Sequence, residues 1–319
     1  MTSLIDKTLD TAIAPGFSNI GFRVRRRSWE PITESLSGKT VVVTGATSGL
    51  GKAAATELAL LGADVILVGR NPDKTATVQA EITAVADDAR IRYELADLSL
   101  MSEVRDLAGR LLANEDSIHV LINNAGTLFT ERTVTAEGID STLATNLLGH
   151  FLLTNLLIPR LVESAPARII NVSSGGMYSQ RISISNLQND RGEYKGSAAY
   201  ARTKRGQVIV TEMWADRLRG QGVTVNAMHP GWADTPGVVQ SLPTFHKITK
   251  PFLRTPAEGA DTIVWLAASD EAADQTGLFW HDRKPRPTHR TKRTRERPEA
   301  RTALWEALSE LSGREDGRF

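Results

Sequence analysis

A short β-branched run that leads directly into a glycine-rich turn constrains the fold more than any other feature of this sequence. The run, Thr40-Val-Val-Val-Thr44, suits a strand that is buried on both faces of a parallel sheet. Glycines at 45, 49 and 51 follow it and open a helical stretch that extends to Leu61. A strand, a tight turn and a helix in this order form the first unit of a parallel α/β sheet.

The same alternation of strand and helix continues along the chain. Helical stretches at 101–112, 138–162 and 197–219 lie between apolar runs. Parallel strands joined by helices require right-handed crossovers, which place helices on both faces of the sheet. The sequence therefore predicts an α/β fold of the Rossmann type, a doubly wound parallel sheet in a single domain. Further strands are expected at Asp64–Val68, Ile91–Leu95, His119–Ile122, Arg168–Val172 and Val223–Ala227.

Changes in residue character divide the chain into three regions. Residues 1–38 form a polar and basic N-terminal extension without a clear period, and 39–282 form the Rossmann domain. Residues 283–319 comprise a basic linker and a C-terminal helix, whose leucines at 304, 308 and 311 share one side. The basic part, 283–298, lacks interleaved aromatic side chains for base stacking. We interpret it as a solvated linker, and contact with anionic lipid or nucleic acid is the alternative.

Residues 234–256 are loop-like, and a loop of this length commonly covers a substrate. We expect a mobile substrate lid here, followed by a helix with Thr255 as N-cap and Pro256 as its first residue. Apolar side chains in the lid indicate a lipophilic substrate, unless they pack onto the domain or onto another subunit. They are Val238, Val239, Leu242, Phe245, Phe252 and Leu253.

Composition excludes several classes of function. With 38 basic and 37 acidic residues, the net charge of +1 gives no reason for general attraction to nucleic acid. The absence of cysteine excludes disulfides and thiolate nucleophiles, and the six histidines show no two-histidine metal spacing. No stretch approaches the ~20 apolar residues of a transmembrane helix, and Pro15 interrupts the short apolar run at 11–16. We expect a cytoplasmic protein without a metal or an integral membrane segment.

The glycine-rich turn, Thr44-Gly-Ala-Thr-Ser-Gly-Leu-Gly51, has the features of a pyrophosphate site. Glycine lets the backbone approach the anion closely, and the N-terminus of the following helix supplies N–H donors. The spacing differs from the GxGxxG of long-chain dehydrogenases and from the evenly spaced glycines of sugar-nucleotide epimerases. A glycine-rich turn without a ligand is the alternative.

The second strand ends at Gly69-Arg70, where an NAD-selective site usually has a carboxylate for the ribose 2′-hydroxyl. A guanidinium can instead pair with a 2′-phosphate in a bidentate way. Arg70 therefore favours NADP(H), with NAD(H) still open. An arginine that simply lies on the surface is the alternative.

Further motifs follow in order from Thr44 to about Gly277. After the third to sixth strands come Asp97-Leu98, Asn123-Asn-Ala-Gly126, Asn146, Ser174, Tyr200-Ala-Arg-Thr-Lys204 and Pro230-Gly231. Together with the glycine motif, this order resembles the short-chain dehydrogenase/reductase family. Ser174 and Tyr200 are 26 positions apart, so an insertion covers about 177–197, similar to retinol-dehydrogenase-like members. The segments 173–177, 228–237 and 279–285 resemble the branch called dehydrogenase/reductase family member twelve.

The resemblance implies which residues bind the dinucleotide. Asp97 would contact the adenine, although it could also be a helix N-cap, and Asn124 to Gly126 would line the cofactor, although the asparagine could be a turn residue. Pro230, Gly231 and Thr235 would lie near the nicotinamide. The full expected set is Gly45, Thr47, Ser48, Gly49, Leu50, Gly51, Arg70, Asp97, Leu98, Asn124, Ala125, Gly126, Tyr200, Lys204, Pro230, Gly231 and Thr235.

The expected catalytic residues are Tyr200, Lys204, Ser174 and Asn146. Tyr200 would act as general base in oxidation and as general acid in reduction. Lys204, one helical turn away, would lower the pKa of the phenol and hold the nicotinamide ribose. Ser174, chosen over Ser173 by the resemblance, would donate to the substrate oxygen. By the resemblance alone, Asn146 would position a water that links Lys204 to solvent.

These residues predict an NADP(H)-dependent alcohol dehydrogenase or carbonyl reductase that acts on a small-molecule substrate. The alternative from another class is a sensor or scaffold that binds the cofactor without turnover, although such a protein has no need of Ser174, Tyr200 and Lys204 together. A sugar-nucleotide epimerase on the same fold is disfavoured by the glycine spacing. The sequence leaves the substrate, the direction of the reaction and homo-oligomer formation open.

Overall fold

One eight-stranded sheet forms the centre of the computed structural model, which describes residues 2–241 and 243–313. The strand order is β3-β2-β1-β4-β5-β6-β7-β8, with β1 to β7 parallel and β8 antiparallel. This topology confirms the predicted α/β fold of the Rossmann type. The strands are β1 Thr40–Thr44, β2 Asp64–Gly69, β3 Ile91–Leu95, β4 Val120–Asn123, β5 Ala167–Val172, β6 Val223–Met228, β7 Phe279–His281 and β8 Lys284–Arg286.

Helices cover both faces of the sheet and enclose two hydrophobic cores. They are α1 Thr2–Thr11, α2 Ile13–Phe17, α3 Asn19–Arg26, α4 Gly49–Leu60, α5 Pro72–Thr83, α6 Met101–Asn114, α7 Ser141–Leu143, α8 Gly149–Glu163, α9 Gly196–Arg217, α10 Pro236–Ser241, α11 Pro243–Thr249, α12 Pro256–Ala268 and α13 Pro298–Leu311. Buried side chains of α4, α5 and α12 form the core on one face, and those of α6, α8, α9 and α13 form the core on the other. The strand order reverses between β1 and β4, and the carboxyl ends of strands at such a reversal form a ligand-binding crevice.

A long apolar helical run crosses one face of the sheet. It joins α7, a π-helical turn at Ala144–Leu148 and α8. By length and composition, Ser141–Glu163 is a candidate membrane span, which corrects the expectation that no stretch approaches this size. However, 83% of its most apolar window is buried inside the protein, as in the core helix of a soluble fold.

The basic stretch after β7 is not the solvated linker that we expected. Arg286 donates to Asp6 at 2.8 and 3.0 Å, and Arg290 donates to Asp10 at 2.9 Å. Arg283 pairs with Asp261 through two hydrogen bonds of 2.8 and 2.7 Å. The acidic partners lie in α1 and α12, distant in sequence, so the local basic composition gave no sign of them. Beyond this stretch, the leucines at 304 and 308 of α13 are fully buried, as its apolar side predicted.

The segment 234–256 contains α10, α11 and a 3₁₀ turn rather than an irregular loop. Its end has the predicted cap, because the Thr255 hydroxyl accepts from the Glu258 amide at 3.1 Å and the Glu258 carboxylate accepts from the Thr255 amide at 2.9 Å. Among its apolar side chains, Leu253 is buried, Val238 and Phe245 are half-buried, and Val239 and Phe252 are exposed. Leu242 lies outside the described residues.

Candidate active site

The glycine turn after β1 has the backbone shape that a pyrophosphate requires. Gly45 has φ +65°, and a Cβ there would lie 2.8 Å from the Cα of Ala125. A Cβ at Gly51 would collide with the carbonyl of Gly45, so the turn and α4 pack directly together. The Ser48 side chain does not cap α4. The first N–H groups of the helix, which have no intrahelical acceptor, are thus available to an anion.

Residues after β4 hold the glycine turn in place. The Thr44 hydroxyl accepts from the amides of Asn124 and Ala125 at 2.9 and 3.0 Å, and the Asn124 side chain donates to the Thr44 carbonyl at 2.8 Å. A Cβ at Gly126 would lie 3.4 Å from Lys204 Nζ. The strand end therefore connects the glycine turn with Lys204.

The carboxyl end of β2 presents an exposed guanidinium, which forms a long ion pair with Asp97. Arg70 is 77% exposed, and its Nη1 lies 3.9 Å from Oδ2 of Asp97. The other Asp97 oxygen accepts from the Ser99 amide at 2.9 Å, as in a turn. Thr47 lies beside the end of β2, because its Cγ2 would be 2.7 Å from a Cβ at residue 69. The Leu98 side chain is buried in the core.

The loop after β6 closes the crevice from the other side. A Cβ at Gly49 would lie 3.2 Å from Cγ2 of Thr235, so this threonine faces the glycine turn. The Pro230 carbonyl accepts from Arg254 at 3.3 Å, and Gly231 has φ +78°. Leu50 meets α12 behind this loop, with Cδ2 2.5 Å from where a Cβ of Gly259 would stand.

The Ser174 side chain lies beside the Tyr200 phenol, where it lowers the pKa of that phenol against the effect of burial. Ser174 follows β5 and also accepts from the Gly176 amide at 3.1 Å. Ser173, in contrast, donates its hydroxyl to the carbonyl of Lys204 at 2.9 Å and is buried. Of the two adjacent serines, only Ser174 is placed beside the phenol.

Burial controls the charge of the tyrosine–lysine pair. Lys204 Nζ lies 5.5 Å from the centroid of the Tyr200 ring and donates to the Val172 carbonyl at 2.8 Å. Burial lowers the pKa of Lys204 to about 7. Burial also raises the pKa of Tyr200, and the Ser174 side chain only partly opposes this. In the protein alone, the phenol pKa thus shifts opposite to the expected direction, because desolvation exceeds the opposing effect of Ser174.

Asn146 lies in the π-helical turn, and such turns are frequent at functional sites. Its side chain accepts from the Thr127 amide and donates to the Thr127 carbonyl, both at 2.8 Å. Its own carbonyl accepts from Gln207 at 2.8 Å. A Cβ at Gly126 would lie 3.3 Å from its Oδ1, so Asn146 borders the space around the lysine.

Three functional neighbours escaped the sequence analysis. Gln207, one helical turn beyond Lys204, contacts both the Asn146 carbonyl and the buried His150. In the sequence, only its position three residues after Lys204 on the same helix indicated that it lies near the site. The third neighbour, after Gln207 and His150, is His229. Its ring accepts at 3.0 Å from the amide of Gly175, the residue that follows Ser174.

The sequence of this site matches a known family over most of the sheet. Residues 39–244 match the short chain dehydrogenase family. The chain belongs to this family. Retinol dehydrogenase 12 from Homo sapiens is 38% identical over 87% of each chain. "Dehydrogenase/reductase SDR family member 12" from Bos taurus is 38% identical over 93% of this chain and 94% of its own. These relatives confirm the resemblance seen in the motifs.

Two solved structures share the fold. An uncharacterized protein from Mycobacterium Paratuberculosis has a TM-score of 0.72 and 28% identity, covering 90% of this chain and 97% of its own. The Pseudomonas aeruginosa RhlG/NADP active-site complex has a TM-score of 0.65 and 25% identity, covering 78% and 96%. As a short chain dehydrogenase with retinol dehydrogenase relatives, this chain is an alcohol/carbonyl oxidoreductase of an NAD(P)-binding family. Within 2–241 and 243–313, His, Asp and Glu form no metal-binding group of three or more.

Proposed function

We propose that this enzyme transfers a hydride between NADP(H) and a lipophilic alcohol or carbonyl compound, with Tyr200 as the acid/base. The observation that carries the proposal is the grouping of Tyr200 with Lys204, whose Nζ lies 5.5 Å from the centroid of the phenol ring, and with Ser174 beside the phenol. This group lies at the carboxyl edge of the sheet, beside the glycine turn.

The residues present fit a dinucleotide. The bare backbone at Gly45 and Gly51 and the uncapped start of α4 would hold the pyrophosphate. Arg70, exposed at the end of β2 and only 3.9 Å from Asp97 at its nearest, would pair with a 2′-phosphate. The NADP complex of the Pseudomonas aeruginosa neighbour supports NADP(H) as a cofactor, and the preference over NAD(H) rests on Arg70.

Each catalytic side chain has a distinct task. When bound, the nicotinamide accepts or supplies the hydride. Ser174 donates to the substrate oxygen and holds it beside the phenol. Tyr200 takes the hydroxyl proton in oxidation and returns it in reduction. Lys204 would hold the ribose, and the positive charge of an oxidised nicotinamide favours the phenolate that burial alone disfavours.

The lid supports a lipophilic substrate. Phe245 of α11 lies 5.2 Å from the ring of Trp232, which follows Gly231 at the nicotinamide end. Both rings are half-buried and provide an apolar surface. The similarity to retinol dehydrogenases points to the same class of substrate. The cytoplasmic location and the oligomeric state stay predictions.

Replacement of the phenol tests the proposed acid/base directly. We expect Tyr200→Phe to lower kcat by about 10²–10⁴-fold, the usual contribution of a positioned proton-transfer group. The affinity for NADPH, followed by nicotinamide fluorescence, should stay the same. Tyr178→Phe is the matched control, because this tyrosine is also half-buried but donates to the carbonyl of Pro287 at 2.7 Å.

The assay screens alcohols and aldehydes of graded size with each cofactor. Turnover by Tyr200→Phe at the level of Tyr178→Phe would refute the acid/base assignment. NADPH binding by the parent protein without turnover of any alcohol or carbonyl would favour the sensor or scaffold.

A further inference from the structure

The N-terminal helices α1 to α3 lie outside the part of the chain that matches the family, yet they are bound to the active-site edge. The carbonyl of Phe17 accepts from the amide of Trp232 at 2.7 Å. The Asn19 side chain donates to the carbonyls of Pro251 and Leu253 at 3.1 and 3.2 Å. This segment therefore joins the loop after β6 to the end of the lid.

The ring of Phe17 lies beside the residue that follows the active-site serine. A Cβ at Gly175 would lie 2.7 Å from Phe17 Cε2, and Phe17 is only 5% exposed. Its centroid is 4.3 Å from the ring of His229 and 6.3 Å from that of Trp232, both in T-shaped contacts. Because Gly175 has no side chain, the ring packs against the backbone that carries the Ser174 hydroxyl.

Two buried guanidinium groups fix the backbone on both sides of Phe17. Arg254 donates to the carbonyls of Ser18 and Gly16, each at 3.2 Å. Arg25 donates to the Gly16 carbonyl at 2.9 Å. Both arginines are buried. With both neighbouring carbonyls held, the ring of Phe17 has little freedom to move away from the site.

The counter-charge for these arginines is Asp282 in the turn between β7 and β8. Its carboxylate accepts from Arg254 at 2.6 and 2.9 Å and from Arg25 at 2.6 Å. Asp282 and Arg283 have φ +54° and +53°, the conformation of a two-residue hairpin turn. A hairpin and a lid residue thus hold the N-terminal segment on the catalytic side of the sheet.

We propose that Phe17 is a positioning residue that sets which substrate sizes the enzyme accepts. It acts through Gly175 beside Ser174 and through Trp232. The half-buried ring of Trp232 in turn contacts the ring of Phe245 in the lid. Without the Phe17 ring, both neighbours gain space to relax, and the site widens. The inference rests on the proposed function, because Ser174 is taken as the residue that holds the substrate oxygen.

The test compares kcat and KM of the full-length enzyme, with NADP⁺, for primary alcohols graded from small to bulky. For Phe17→Ala, we expect the ratio of kcat/KM between bulky and small alcohols to rise about tenfold or more. The change should appear mainly in KM, and Phe17→Leu should restore part of the parent ratio. Phe22→Ala is the matched control for lost apolar burial in the same segment, since Phe22 is also buried but its ring contacts Trp29 and the Arg254 guanidinium, each at 5.3 Å, rather than Gly175 or Trp232.

A purely structural role would lower kcat/KM by the same factor for every alcohol, in Phe17→Ala as in Phe22→Ala. That result would overturn the inference and leave the proposed function intact. Thermal shifts of the NADPH complex with the same alcohols provide a readout without turnover. If the parent shows no turnover, the proposed hydride transfer fails; thermal shifts that favour bulkier alcohols in Phe17→Ala alone would still show that Phe17 limits the size of what binds beside Ser174, and equal shifts in both proteins would overturn the inference as well.

Discussion

At the scale of single residues, Arg70 decides the predicted cofactor preference. Its guanidinium is exposed at the end of β2 and 3.9 Å from the nearest Asp97 oxygen, which leaves it able to meet a 2′-phosphate. We expect Arg70→Asp to weaken NADPH binding by about 10–100-fold, because a charge-assisted hydrogen bond contributes ~1.5–3 kcal/mol. NADH binding should be kept or improved. Dissociation constants from nicotinamide fluorescence measure both effects.

Arg219→Asp is the matched control for this charge change. Arg219 is 75% exposed and pairs with Asp216, just before β6. In a parallel sheet, a loop that enters a strand lies at the amino edge, opposite the crevice. If Arg70→Asp and Arg219→Asp leave the same ratio of NADPH to NADH affinity, Arg70 does not select the cofactor.

Sequence motifs led to the candidate active-site residues, whereas residues without a motif were recognised only from their packing in the structure. The choice of Ser174 over Ser173 agrees with the geometry, since the Ser173 hydroxyl is occupied by a main-chain carbonyl. Gln207 carries no motif of its own, and its contacts appear only when the π-helical turn places the Asn146 carbonyl beside it. The pKa of Tyr200 depends on burial, which no local pattern shows.

At the scale of elements, the sequence predicted the central α/β units because strand and helix periodicities are local. The β7–β8 hairpin and the helices α1 to α3 were missed for the opposite reason. The strands are three residues each, and the partners of the N-terminal helices lie more than two hundred positions away in sequence. The buried ion pairs that join these elements are a tertiary property.

Those ion pairs make a testable prediction about stability. Asp282→Asn would leave Arg25 and Arg254 buried without a full counter-charge, and loss of one partner of a buried pair costs ~3–5 kcal/mol. We expect this loss in the urea free energy of unfolding, with increased hydrogen exchange in 13–26. Asp216→Asn, in an exposed pair, should change stability by less than ~1 kcal/mol. Equal costs for the two variants would mean that the network does not hold the segment.

At the scale of the whole molecule, buried histidines should set the acid limit of stability. Burial lowers the pKa of His150 to about 3, with a further contribution from Lys204, and burial holds the pKa of His229 well below its usual value. The geometry agrees for His229, because its Nδ1 accepts a hydrogen bond from a backbone amide and so carries no proton. Both histidines are therefore neutral in the folded enzyme at pH values where the unfolded chain already protonates them.

The sign of the pH dependence follows from this difference in bound protons. Stability is fully present above the ordinary histidine pKa of ~6.5 and falls as the pH decreases toward the folded-state pKa, by up to ~1.4 kcal/mol per pH unit for each histidine. Urea unfolding between pH 8 and pH 5 at fixed ionic strength should show a plateau and then a decline. His150→Gln should make the decline shallower than in the parent. Identical slopes in the two proteins would show that protonation of His150 does not limit the fold, because a group that binds its proton equally in both states cannot couple folding to pH.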